Sequence, residues 1–461
     1  MVNVRPELPR VVLVGVQIDG VSDVEHAAHL AELGRLCSTL GWRVVATVTQ
    51  KRQALSRGNV LGEGKLQELA KITGGTGVVG SRAPKRTSKA KEKWQADGED
   101  DSAETAEADN AEADESDGGV ETNGEQATMV VVDHELSPNQ LSNLERATGV
   151  SAMDRSGVIV EIFHRHARSR EARLQVEIAR LNYLAPRLRE SAGSSERQQG
   201  RGAGDTAVEL DRRRIRDRLA ELRRELDSIS GDQANRRFAR RDQLRVALVG
   251  YTNAGKSSLL RALTGSEVLV ADQLFATLDT TVRALHPETK PRILVSDTVG
   301  FIQKLPHDLV ASFRSTLDEA MEASLLLYVV DASDPTFENQ LAVTHDVLGE
   351  IGASEVPSRL LLNKVDRLSA EQKDDLRRRY PDAIQLSAHA KEDVARLREH
   401  IIAYFEEAML EEDLLIPYSR QQNISEIYAN ARVISESFDE EGRTLRVRAL
   451  PAALAKLRLL A

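Results

Sequence analysis

One cysteine, Cys37, stands in 461 residues, so neither an internal disulfide nor a thiolate zinc site can form. Aromatic residues make up only 4% of the chain, which speaks against all-β packing and for long charged helices with some disorder. No apolar run approaches the ~18 residues of a membrane span, and no charged-then-apolar export signal opens the chain. A cytoplasmic protein is expected. Net positive charge is also lacking: the formal balance is −10, which at face value excludes nucleic-acid partners. That exclusion fails on inspection. Thirteen acids and no Lys or Arg fall between Asp97 and Glu125, and without them the balance turns from −10 to +3. Charge per segment is the informative quantity.

At roughly 150 residues per domain, the length suggests about three domains. Val11–Val16 and Val44–Val48 are continuous, β-branched runs of the kind buried in parallel sheets. Between them Leu30, Leu33, Cys37 and Leu40 recur at helical spacing, and Gly41 supplies a stop. Residues 128–136 and 157–163 read as further strands. An N-terminal α/β domain is therefore expected over 1–160, interrupted by an insert at 81–126. The insert carries six basic residues and one acid between Arg82 and Lys93, then the acidic tract. Such a composition buries too little apolar area to offset chain entropy and is expected to be disordered. An electrostatic arm or RNA mimic is the functional alternative.

Residues 161–243 form the next segment. Leu174, Ile178, Leu181, Ala185 and Leu188 fall at heptad-like spacing. Val208, Ile215, Leu219, Leu222, Leu226 and Ile229 resume it after a Gly/Ser-rich stretch. This predicts an antiparallel coiled-coil hairpin with a Gly-rich loop at 191–207, and Pro186 is expected to kink or end its first helix. Residues 155–245 hold 22 arginines, no lysine and 14 acids. A salt-bridged solvated coiled coil would need no such surplus of one sign. Arginine's planar fork suits phosphate, so RNA contact is favoured. Strand–helix alternation returns over 244–408, followed by a small α+β, βαββ-like domain at 409–461.

Chemistry concentrates in 244–408. Gly250, Tyr251, Thr252, Asn253, Ala254, Gly255, Lys256 and Ser257 spell GxxxxGKS between the strand Leu244–Val249 and the helical run Ser258–Leu263. Glycines let backbone N–H groups turn toward phosphate oxygens, Lys256 adds a point charge, and the helix N-terminus adds its dipole. The Ser257 hydroxyl is placed to ligate magnesium. Asp297, Thr298, Val299 and Gly300 follow the strand Ile293–Ser296; the acid can hold Mg2+ through water and the Gly300 N–H can sense a γ-phosphate. Asn363, Lys364, Val365 and Asp366 follow the strand Arg359–Leu362. A carboxylate at Asp366 accepts from guanine's N1–H and exocyclic amine, a donor pair that adenine lacks. Asn363 is expected to tie loops together and Lys364 to pack on the base. Ser387, Ala388 and His389 offer backbone N–H groups to guanine O6. The ordered series defines a Ras-like, guanine-nucleotide-binding P-loop domain.

Phe275, Ala276, Thr277, Leu278 and Asp279 lie between the first and second of these motifs. A hydroxyl there can complete the magnesium shell only when a γ-phosphate is present, which makes the segment a switch. Thr277 is the chosen ligand, with Thr280 and Thr281 as competitors. Phe301 stands where many small GTPases carry a water-orienting glutamine. It cannot orient water, so the catalytic residue is unknown and slow intrinsic hydrolysis is expected.

Residues 250–257, 274–279 and 297–302 together resemble the HflX family, within the Obg–HflX group of translation-factor GTPases. So do Leu136-Ser-Pro-Asn-Gln140 with Asn143-Leu-Glu145, Asp154-Arg155, Ile162-Phe163, Tyr183-Leu-Ala-Pro-Arg187, Leu210-Asp-Arg-Arg213 and Gly62-Glu-Gly-Lys65. The resemblance covers nearly all the chain outside 81–126. It implies a GTP hydrolase, slow alone and stimulated by the large ribosomal subunit, that binds that subunit and separates stalled ribosomes. Mg2+ accompanies the nucleotide. The implied partners are the large subunit and its rRNA, with no DNA, no membrane span and a monomeric chain; Arg201, Arg212, Arg213 and Arg214 are the candidate rRNA contacts. The family's hairpin loop reaches toward the peptidyl-transferase centre. Here Ala203, Asp205 and Ala207 depart from its usual residues, and Thr280 from a usual proline. The resemblance also raises ATP binding by the N-terminal domain, for which Gly62-Glu-Gly-Lys65 is the only local candidate. It lacks phosphate-loop spacing and reads as a glycine turn before a helix at 65–71. A GTP-gated factor of large-subunit biogenesis and a signalling GTPase with a protein partner are the competing functions.

Overall fold

The computed structural model describes residues 8–56, 58–79, 120–195, 203–238, 244–265, 275, 281–303 and 319–460. Arg201, Ala276, Thr277, Leu278, Asp279, Thr280 and the insert up to residue 119 lie outside them. Contacts gather the chain into two compact units, residues 1–159 with 186–208, and residues 160–185 with 209–461. The hairpin is thus not a compact unit of its own.

In the first unit the elements run β1 (Arg10–Ile18), α1 (Asp23–Thr39), β2 (Arg43–Arg52), α2 (Glu63–Thr73), β3 (Val120–Thr122), β4 (Met129–Val132), α3 (Pro138–Thr148) and β5 (Ser151–Asp154). The sheet order is β3-β2-β1-β4-β5, parallel throughout except for the edge strand β3. Local chemistry starts the helices: Ser22 with Glu25, and Ser137 with Gln140, form reciprocal capping boxes. Val12, Val14, Val48, Val130 and Val132 from the strands meet Leu66, Leu69 and Leu144 from the helices in one core. Gly62 precedes α2 and donates its N–H to Gln50 Oε1 at 2.9 Å.

Two sequence expectations need correction in this unit. Residues 157–163 are not a strand but lie within helix α4 (Arg155–His166). Val158, Ile159, Val160, Ile162 and Phe163 are all buried, and a short, wholly buried run fits either element by periodicity alone. Context decides: β5 ends at Asp154, whose Oδ1 accepts the Gly157 N–H at 2.8 Å and so opens a helix. The expected insert also ends too late at 126. Val120–Thr122 pairs with Ala46–Val48, and the Gln126 amide donates to Thr73 O at 3.0 Å.

Arg155, 2% exposed, donates to Asp133 at 2.8 Å and also to Glu32. Both carboxylates are buried. Asp154 beside it accepts Leu136 N at 3.1 Å and Arg187 at 2.7 Å. These ties join α1, the end of β4, the start of α4 and the far part of the next helix, α5 (Arg170–Ser195).

Helix α5 pairs with α6 (Ala203–Phe238). Leu174, Ile178 and Leu222 form the buried seam, flanked by Leu181, Leu219, Leu226 and Ile229, as the heptad spacing predicts. Pro186 neither ends nor interrupts α5. The expected loop at 191–207 shortens, because residues 191–195 and 203–207 are helical, against the roughly 1 kcal/mol that each of Gly193 and Gly204 costs a helix relative to Ala.

Next come β6 (Leu244–Val249), α7 (Lys256–Thr264), β7 (Thr281–Ala284), β8 (Ile293–Asp297), β9 (Leu325–Asp331), α8 (Phe337–Glu350), β10 (Ser358–Asn363), α9 (Ala370–Arg379), β11 (Ile384–Gln385) and α10 (Lys391–Glu407). Their sheet order is β11-β10-β9-β6-β8-β7, with only β7 antiparallel. The carboxyl ends of β6, β8 and β10 share one edge, the place where open parallel sheets bind ligands.

The last elements are β12 (Leu410–Pro417), α11 (Ile424–Asn430), β13 (Arg432–Phe438), β14 (Gly442–Ala449) and α12 (Pro451–Leu460), in a β12-β14-β13 antiparallel sheet. The βαββ expectation therefore omits a final helix. Leu454 and Leu457 of α12 pack with Leu414, Ile416, Leu445 and Val447, closing a sheet face that β-strands alone would leave open.

Deleting residues 84–118 removes no described element, and changing the length of a flexible connection changes closure entropy only slowly. The melting temperature is expected to move by less than about 2 °C. Extending the deletion through Glu125 strips β3 and the Arg43–Glu125 pair; a fall of several degrees, about 1–2 kcal/mol, is expected in differential scanning calorimetry. Equal melting of the two deletions would show that β3 contributes nothing.

Candidate nucleotide-binding site

The first loop begins where β6 ends. Gly250 has φ 149°, and a Cβ there would stand 2.1 Å from Val329 O. Only glycine fits this close approach to the neighbouring strand. The chain then curls through Asn253, itself left-handed at φ 60°, into the first turn of α7. Lys256 opens that helix and is 6% exposed. Its Nζ donates to Gly250 O at 2.9 Å and Tyr251 O at 2.8 Å. Burial pushes its pKa down to about 8, against the opposing pull of the Asp297 charge. Ser257 Oγ donates to Asp297 Oδ2 at 2.6 Å. A hydroxyl and a buried carboxylate in contact beside the ammonium form an oxygen donor set of the kind magnesium prefers.

The second loop is stitched to the first. Thr298 Oγ1 donates to Leu248 O at 2.8 Å. Phe301 N–H donates to Gly250 O at 3.1 Å, and Thr252 N–H donates to Phe301 O at 2.7 Å, a one-residue parallel bridge between Tyr251 and Phe301. A Cβ on Gly300 would lie 2.8 Å from Thr252 Cγ2 and 3.1 Å from Lys256 Nζ. Val299 and Phe301 are buried. Phe301 thus packs inward, in keeping with a residue that cannot orient water.

The third loop ties the first loop to the segment that follows β11. Asn363 is buried; its Nδ2 donates to Ala254 O at 2.8 Å and its Oδ1 accepts Ala388 N–H at 3.1 Å. The loop-tying geometry expected of this residue is what the structure contains. Lys364, at φ 62°, donates from Nζ to Asn253 O and to Asp331 Oδ2, each at 2.7 Å. Val365 is buried and Asp366 exposed. A hydrogen bond from the Ser387 side chain holds the Asp366 carboxyl below its ordinary value, so it is a ready acceptor. Ser387 N–H donates to Asp393 Oδ2 at 2.8 Å, and His389 N–H to Ser387 Oγ at 3.3 Å.

Of the switch residues only Phe275 is described. It is buried at φ 59°, edge-on to Phe163 with ring centroids 4.6 Å apart. Thr281, one of the competitors, is the first residue of β7. On the hairpin, Arg213 and Arg214 are exposed and Arg212 half-buried. Sequence reasoning did not reach Asp331, Tyr251's contact with the second loop, or the packing of Phe163 on Phe275. Asp331 was the most accessible of the three, as an acid closing the apolar run Leu325–Val330.

Family models match most of the chain: "GTP-binding GTPase N-terminal" at 27–79 and 113–164, "GTP-binding GTPase Middle Region" at 166–240, and "50S ribosome-binding GTPase" at 245–364. The GTPase HflX of Gluconacetobacter diazotrophicus is 62% identical over 98% of this chain and 98% of its own. The chain belongs to the HflX family of GTPases. The HflX of Escherichia coli is 38% identical over 70% of this chain and 78% of its own. Among solved structures, a GTP-binding protein from the archaeon Sulfolobus solfataricus in complex with GDP aligns at TM-score 0.42 and 21% identity, over 85% of this chain and 99% of that one. The HflX family carries a GTPase domain; the first two loops, with Asn363 and Lys364 of the third, fall within the residues matched to it.

Two outcomes are expected. Asp366→Asn presents an amide where guanine needs an acceptor. GTP affinity should fall at least tenfold while xanthosine triphosphate gains, measured by competition against a fluorescent nucleotide; unchanged GTP affinity would remove Asp366 from base recognition. The second concerns Lys256, whose lowered pKa leaves it charged below pH 8 and increasingly neutral above it. Polyphosphate binds the charged form, so affinity should be flat below pH 8 and then weaken, approaching about tenfold per pH unit. Titration of GDP affinity between pH 7 and 9 tests this, and constant affinity would place the Lys256 pKa higher.

Proposed function

We propose that this GTPase binds GTP with Mg2+ through the three loops, hydrolyses it slowly alone, and is accelerated by docking on the large ribosomal subunit, where it separates or rescues stalled ribosomes. In this reading Gly250–Ser257 cradle the phosphates and Asp366, set by Asn363 and Ser387, reads guanine. Ser257 and Thr277 would hold Mg2+, with the Asp297 carboxylate beside Ser257 as a further oxygen donor; the bound ion would supply charge neutralisation at the phosphoryl oxygens. Gly300 donates its N–H to the γ-phosphate.

Support for slow basal turnover comes from Phe301, 2% exposed and bridged to Gly250 and Thr252 through its backbone. The phenyl ring of Phe301 has no hydrogen-bonding group with which to orient water.

The arginines of α6 carry the ribosome reading. Arg214 contacts Asp211 at 3.1 Å and Arg213 contacts Asp217 at 4.0 Å, all on exposed side chains. Exposed pairs of this kind contribute about 0–1 kcal/mol and exchange readily for phosphate. The family-model description naming the 50S ribosome points the same way. No described helix is long and apolar enough to cross a membrane; a cytoplasmic, monomeric protein on rRNA, with Arg201 as a further contact, completes the reading.

Single-turnover GTP hydrolysis with and without purified large subunits, across a salt series, tests it. Stimulation should fall steeply with salt, because each phosphate contact releases counterions. Reversing Arg212, Arg213 and Arg214 to Glu should abolish stimulation while leaving the basal rate unchanged. Stimulation insensitive to salt and to the reversals would exclude phosphate docking, and none at all would exclude the ribosome. Sedimentation with precursor particles alone would instead favour the biogenesis reading.

A further inference from the structure

The second loop is held against the first by more than backbone. Tyr251, 4% exposed, follows the first P-loop glycine and accepts the Gln303 N–H on its phenol oxygen at 2.7 Å. With Phe301 N–H on Gly250 O and Thr252 N–H on Phe301 O, this makes three rungs between residues 250–252 and 301–303. The two backbone rungs are open to almost any sequence. The third depends on one hydroxyl.

We infer that Tyr251 is a positioning residue for GTP hydrolysis: its hydroxyl anchors Gln303 and thereby fixes Gly300 beside Lys256. The physical case starts from Phe301. A GTPase that has no glutamine to orient water relies on the placement of the groups it retains around the γ-phosphate, among them the Gly300 N–H. Gly300 lies so close to Thr252 and Lys256 that no Cβ fits between them. Gly300 is bonded directly to Phe301, so a shift of the 301–303 segment displaces it within that close fit. Ile302, fully buried, anchors the middle of the segment by packing, and Gln303, half-buried, sits at its outer end. Tyr251 closes that end. Its backbone carbonyl accepts from Lys256 Nζ at 2.8 Å while its hydroxyl accepts from Gln303, so one residue ties the lysine side of the loop to the 301–303 side.

The inference rests on Gly300 as the γ-phosphate contact and does not require ribosome docking. Tyr251→Phe keeps the ring and its packing and removes only the acceptor. The full-length protein carrying it should bind GDP within about twofold of the parent. Its single-turnover GTP hydrolysis should fall about fivefold, the loss expected for one neutral hydrogen bond, in the saturating rate and not in the concentration for half-saturation. Hydrogen exchange of the Gln303 amide should quicken. Gly300→Ala, measured alongside, separates the two layers. If Gly300→Ala hydrolyses GTP normally, the γ-phosphate reading fails. If Gly300→Ala is impaired while Tyr251→Phe hydrolyses at the parent's rate, the Tyr251 role is overturned. Equal losses of GDP affinity and rate in Tyr251→Phe would also overturn it, since they mark general damage to the loop.

Discussion

A lysine ammonium kept out of water governs the nucleotide site. Lys256 is buried among backbone, with two carbonyl oxygens and the nearby Asp297 charge in place of solvent. Removing an ammonium from water costs several kcal/mol even after relaxation, and the downward pKa records that cost. The rest of the site follows from it. The chain must turn tightly enough to aim Gly250 O and Tyr251 O inward, which requires a glycine at the close approach to Val329. Asp297 must lie at the end of the adjacent parallel strand. An ammonium only partly compensated is attractive to polyphosphate, because the ligand supplies the charge that the protein withholds.

Arg155 shows the opposite arrangement. It is as deeply buried, but Asp133 and Glu32 satisfy its fork directly. A fully paired buried charge has little attraction left for a ligand; its effect is to fix geometry, since losing one partner strands the other. Here it fixes where α4 begins and how α1 meets the end of β4. Lys256 and Arg155 thus divide between chemistry and structure according to how completely the protein neutralises them.

The hairpin works at the surface, where the same charges cost little. Its seam is narrow, Leu174, Ile178 and Leu222 with partly buried neighbours, and the remaining faces are solvated. Arginine pairs there, such as Arg218 with Glu177 and Glu221, hold the helices in register weakly. A surface of this kind can trade internal partners for phosphate without unfolding, which a buried network cannot do.

Contiguous chemistry was legible in the sequence. GxxxxGKS, the Asp297–Gly300 segment and Asn363–Asp366 each lie within a few residues of one strand end, so spacing alone locates them. The β-branched runs at 11–16 and 44–48 and the heptads of the hairpin read correctly because burial imposes their periods. Residues 157–163 misread because a wholly buried run has no period to show, and the Asp154 cap that made it a helix is a contact of folded backbone. Val120–Thr122 and the helix at 451–460 were likewise invisible, one a three-residue edge that exists only by pairing with β2, the other fixed by a sheet face needing cover. The stitching of the site was beyond sequence for the same reason. Asn363 to Ala254 spans 109 residues and Tyr251 to Gln303 spans 52. Sequence determined which groups could meet a nucleotide; only the order of strands in the sheet decided which of them touch one another.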